Sequence, residues 1–190
     1  MPIASTLLLT VVFPLWVTAG LADWACHWRT GIARTSGLKE NLLHLLMFAE
    51  AGVIAAAIAL LEFNAGLLLL VVAVFVFHEL TVYWDLRYST LLRDVGPFEQ
   101  MVHSFLELLP LVALALVVVG TVGEGMPVWS LRPKDQPLPA NILAAGAMLV
   151  GVFNVVPLLQ ETLACLLVRS GRRAVASAAK ARTPPNPEPR

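Results

Sequence analysis

Three polar residues of one short stretch, Glu99, His103 and Glu107, follow one another at intervals of four and run directly into Leu-Leu-Pro-Leu-Val-Ala-Leu. On a helix this spacing places all three on one stripe. The same device recurs. Asp23 precedes His27 by four, Glu40 precedes His44 by four, and His78 precedes Asp85 by seven. Asn154 and Glu161, again seven apart, flank Pro157. These four histidines are all the histidines of the chain. Imidazole nitrogens and carboxylate oxygens on converging helices are the donor set of a metal centre. A cation there keeps the acids ionised and the imidazoles neutral.

Asp23, His27, Glu40, His44, His78, Asp85, Glu99 and His103 are the expected ligands, with Glu107 and Glu161 as supporting or additional ones. That set is too large for one tetrahedral zinc. It suits two transition-metal ions with mixed nitrogen and oxygen ligation, iron first, with manganese or zinc as alternatives. Glu79 would point about 100° away from His78, and Glu50 lies six residues past His44 and off its stripe, so neither joins the set. Arg87 and Arg93 are read as topology residues able to meet a lipid phosphate.

The elements that must carry these residues are apolar. Of 190 residues 58% are hydrophobic and 14% charged, and mean hydropathy is +0.77. Soluble domains are about a quarter charged. The expected fold is all-α: an integral membrane bundle of five helices near 3–28, 41–61, 65–84, 98–120 and 140–168, the last tilted or kinked at Pro157. Each reaches the ~20 residues that cross the hydrocarbon. Residues 1–168 form the membrane domain, and 169–190 are expected to be a basic, proline-rich, disordered tail. No lysine or arginine precedes Arg29, so the first segment reads as a retained span and not as a cleaved leader.

Basic residues set the expected orientation. Eleven (Arg29, Arg34, Lys39, Arg87, Arg93, Arg169, Arg172, Arg173, Lys180, Arg182 and Arg190) fall on one side of a five-span chain, and only Arg132 and Lys134 on the other. This predicts an outside N-terminus, a cytoplasmic C-terminus and a His/carboxylate cluster at the cytoplasmic face. Cys26 and Cys165 read as small buried hydrophobes. The zero net charge and the lack of a basic stripe exclude a nucleic-acid partner.

The HEL…WD…EQ.VHSFLE core, most specifically FEQMVHSFLELLP, resembles a group of small bacterial multi-pass membrane proteins across most of the first four segments. The resemblance implies a bacterial inner-membrane location and transfers no activity. Soluble di-iron bundles share the principle of inward carboxylates and histidines, and no HxxxH or HxxHH box of the membrane desaturases is present. The expected activity is that of a dinuclear membrane oxidoreductase. It would act on a lipid-soluble substrate from the bilayer, with a separate electron donor. A b-type haem protein, a zinc-dependent lipid hydrolase and a metal or proton transporter are the alternatives.

Overall fold

A computed structural model of the chain describes residues 3–123 and 129–182, with side chains to residue 176. Among the described residues, five helices are long and apolar enough to cross a membrane: α1 (Ile3–Thr30), α2 (Leu38–Leu60), α3 (Ala65–Ser89), α4 (Pro97–Gly123) and α5 (Ala140–Ala176). No strand is named among the described residues. A helix satisfies every backbone polar group within itself, which hydrocarbon requires.

Local chemistry sets the helix ends. Gly31, at φ +68°, closes α1 in the left-handed conformation, and its N–H donates to the His27 carbonyl at 3.0 Å. Asn64 caps α3, accepting from the Leu67 N–H at 3.0 Å. Pro97 opens α4, where a missing N–H costs nothing. Two prolines inside the long helices are accommodated in the same manner. A proline ring strikes the carbonyl four residues back. For Pro14 and Pro157 those carbonyls belong to Thr10 and Phe153, and each lies inside a π-helical turn, Leu8–Val12 or Gly151–Val155. The interruption expected at Pro157 is therefore a widened turn just before it.

α3 runs five residues beyond the expected 84, which takes Asp85 inside the helix. The tail departs from expectation as well. The last helical stretch, Val156–Arg182, continues well past 168, where alanines and arginines favour helix. The proline-rich remainder, 183–190, lies outside the described residues.

α2 and α3 form an antiparallel hairpin, α3 packs also on α4, and α4 on α1. The half of α5 that carries Glu161 packs against α2 and α1. Apolar packing is concentrated away from the histidines, around Leu8, Ile58, Leu67, Val71, Ala113 and Val117. At that end the loop between α4 and α5 is tied to the hairpin. Glu62 donates its N–H to the Arg132 carbonyl and Lys134 its N–H to the Leu60 carbonyl, each at 2.9 Å. Gly66 lies so close beneath this loop that a Cβ would meet the Trp129 carbonyl oxygen at 2.7 Å.

Candidate metal centre

The helix ends opposite that core bring the His/carboxylate pairs together. His27, on the last turns of α1, is 1% exposed. Its Nε2 lies 3.5 Å from Asp23 Oδ1 and 3.5 Å from Glu99 Oε1 of α4. Its Nδ1 lies 3.2 Å from Glu161 Oε2 of α5. His44 of α2 stacks on it, ring centroids 4.4 Å apart and planes 9° from parallel. His44 Nδ1 faces the other oxygen of Glu161 at 3.6 Å, and its Nε2 faces Asp85 Oδ1 at 3.4 Å and Glu40 Oε1 at 3.9 Å. His103 Nε2 reaches Asp23 Oδ1 at 2.9 Å.

Glu161 therefore spans two imidazoles from two other helices. A proton on His27 Nδ1 directed at Glu161 leaves its Nε2 lone pair free for a ligand, the arrangement that fixes a metal-binding tautomer. Asn41 holds Glu161 in place by donating from Nδ2 to Oε1 at 2.9 Å. Both Asn41 and Glu40 are fully buried.

Among the described residues, two sets of ligating atoms lie within 4.8 Å of one another: Asp23, His27 and His103, and His27, Glu40 and His44. His27 stands in both. Several of these atoms are buried: His27 Nε2, both His44 ring nitrogens and Asp85 Oδ1 have no hydrogen-bond partner, while Asp23 Oδ1 and Glu99 Oε1 are met only by the ion pairs with His103 and Arg93. Buried polar atoms are almost always satisfied, because leaving one bare costs about 1–3 kcal/mol. A cluster of bare acceptors and imidazole nitrogens converging on one place is the chemistry of a cation site.

One cation is supplied by the chain itself. Arg93, in the loop before α4, places Nη2 2.6 Å from Glu40 Oε1 and 2.6 Å from Glu99 Oε1. Its Nε donates to Glu40 Oε1 at 3.1 Å. Burial works against the guanidinium charge, but the two carboxylates outweigh it and hold Arg93 well above its usual pKa range.

A second polar layer lies deeper in the bundle. His78 is paired with Glu50 of α2, Nδ1 to Oε2 at 3.2 Å, and Thr81 donates to Glu50 Oε1 at 2.9 Å. His78 Nε2 is buried without a partner. Asp23, His27, His44, His78, Asp85 and His103 all line a cavity of about 340 Å³.

Seven of the ten expected residues, Asp23, His27, His44, Asp85, Glu99, His103 and Glu161, meet one another there. Glu40 joins them and is claimed also by Arg93. His78 faces the same cavity but pairs with Glu50, not with Asp85, which turns to His44. Glu107 is exposed on the cavity rim, one turn beyond His103, where α4 has rotated away from His27. Glu50, Asn41 and Arg93 are the functional side chains that stripe counting passes over. A lone carboxylate within an apolar span needs a partner on another helix, and that rule points to Glu50. Comparison with protein-family profiles, with characterised proteins and with solved structures gives no match.

Proposed function

We propose that the His/carboxylate end of the bundle holds two transition-metal ions, iron first, and that the protein is a membrane oxidoreductase for a lipid-soluble substrate. The observation that carries this reading is the convergence of buried imidazole nitrogens and carboxylate oxygens from four helices and from Glu161 on the fifth, several of them without a hydrogen-bond partner. Asp23, His27 and His103 would hold one ion, and Glu40 and His44, beside His27, the other. Asp85 and Glu99 would complete their shells, and Glu161 with Asn41 would orient the two stacked rings. A bound redox metal supplies electron transfer and oxygen activation. The protein's residues bind it, exclude water and keep the carboxylates ionised.

By the distribution of basic residues the site faces the cytoplasm, across the inner membrane of a bacterium. Lipid-borne substrate would then arrive from the bilayer, and electrons from a separate cytoplasmic donor. The stack of His27 on His44 favours metal ions over haem, since a porphyrin between two axial imidazoles would force the rings far apart. Zinc-dependent lipid hydrolysis differs in the metal, which elemental analysis separates. Ion passage would require polar groups beyond Glu50 and His78, where the apolar core begins.

Elemental analysis and optical spectra of protein purified in detergent test the reading. Wild type should carry iron, manganese or zinc, and His27→Ala should lose it while eluting as a folded monodisperse species. Substoichiometric metal in wild type, before and after reconstitution, overturns it.

A further inference from the structure

A second cavity, of about 520 Å³, lies between α1, α2, the Leu109–Ala113 turn of α4 and the half of α5 remote from the histidines. It exists because that half of α5 stands off: no residue of Ala140–Val150 is buried. α2 turns Ala51, Gly52, Ala55, Ala56 and Ala59 toward the gap. In membrane helices such small residues usually draw two backbones together. Here they leave room, and a Cβ added at Gly52, or at Gly151 across the gap, would meet nothing within 4 Å. Both π-helical turns also border the space, through Leu8 and Val12 on one side and Gly151 and Val155 on the other. Such turns are rare and gather at functional sites. The volume falls within the ~300–1,000 Å³ of ordinary ligand pockets.

The two ends of the cavity differ. At one end Trp16, Phe48 and Ala51 line both this cavity and the His/carboxylate one. Trp16 and Phe48 stack there, ring centroids 5.7 Å apart. At the other end Lys134 closes the space, its Nζ donating to the Ile58 carbonyl at 2.7 Å and lying 5.4 Å from the Phe63 ring. From Phe48 to Ile58 is ten residues of α2, a length of ~15 Å at 1.5 Å per residue. An extended chain advances about 1.2 Å per bond, so about twelve bonds fill it.

We propose that this cavity binds the single apolar tail of a lipid, about twelve carbons of it, with the lipid's uncharged polar head seated in the His/carboxylate cavity. This names the substrate class of the oxidoreductase and rests on that reading only for the reaction at the head. Asp23, Asp85, Glu107 and Glu161 line the head cavity and would oppose an anionic head, so the head is an alcohol, aldehyde or carbonyl. Entry is sideways, past the exposed half of α5.

The probe is a neutral single-chain alcohol, 2-bromododecan-1-ol, whose bromine beside the head quenches indole fluorescence on contact. The full chain is placed in phospholipid nanodiscs with Trp24, Trp28, Trp84 and Trp129 changed to Phe, which leaves Trp16 at the junction of the cavities. Quenching should saturate with the mole fraction of the alcohol. It should weaken roughly tenfold or more, about 1.4 kcal/mol, in Gly52→Leu and in Gly151→Leu, whose added side chains occupy the tail cavity. Either filled variant suffices, provided its gel-filtration profile and metal content match the parent. Quenching that never saturates, or that is equal in parent and filled variants, overturns the proposal and marks the gap as ordinary lipid boundary. Saturable quenching in a protein that binds no metal sustains the tail site and removes the oxidoreductase reading.

Discussion

Arg93→Met removes a cation from between two buried carboxylates while keeping most of the side chain's volume. Glu40 is 0% and Glu99 3% exposed, and the guanidinium lies 2.6 Å from both. Breaking a buried ion pair by deleting one partner costs about 3–5 kcal/mol, because the charge left behind is neither solvated nor paired. At about 2–4 °C per kcal/mol for a chain of this size, the melting temperature should fall by roughly 6–20 °C. The assay is thermal unfolding of detergent-purified protein in the presence of a chelator, followed by intrinsic fluorescence. A divalent metal should then restore part of the loss in the variant and raise the wild type less, since an ion placed among Glu40, His27 and His44 supplies the missing positive charge. Melting of Arg93→Met within ~2 °C of wild type under chelation would show that the carboxylates are not held as charged partners of Arg93. The electrostatic account of the site would fall with it.

Three further outcomes follow from the same geometry. Glu161→Gln, which keeps the contact with Asn41 but loses the charge spanning the two imidazoles, should weaken metal affinity about 10–100-fold, read by competition with a chromophoric chelator. His78→Ala should keep the metal content of wild type while His27→Ala loses it, because His78 pairs with Glu50 away from both ligand groups; equal loss in the two would place His78 among the ligands. Gly66→Ala forces a methyl group against the backbone carbonyl of Trp129 and should cost about 1–3 kcal/mol, read by denaturant titration.

Phase along a single helix was legible in the sequence, and phase between helices was not. Asp23 and His27 share a turn, and they do meet. Glu99 and His103 also share a turn, yet their strongest contacts lie elsewhere, Glu99 with Arg93 and His103 with Asp23. Spacing fixes which residues lie on one face. It carries no information on how that face is rotated toward its neighbours, and this rotation turns His78 to Glu50 and Asp85 to His44. The five spans were readable because hydropathy over about 20 residues decides them. Arg93 was invisible as a site residue because loop arginines in membrane proteins ordinarily mark orientation. Only the fold brings it beneath Glu40 and Glu99. The tail cavity had no sequence signature beyond its small residues, which in other bundles would mean close contact.

Glu161 reaches the stacked rings of His27 and His44 from the fifth span, and this has a consequence for biogenesis. Spans enter the bilayer in order of synthesis, and an uncharged imidazole is far easier to insert than a carboxylate with no companion. The first two spans carry Asp23 and Glu40, each four residues from its own imidazole, so those acids enter with a companion on the same helix. The anion that fixes both rings arrives with the fifth span. Until then His27 and His44 lack the carboxylate that faces both Nδ1 atoms. The carboxylate that joins the two stacked rings is therefore the last part of the cluster to be made.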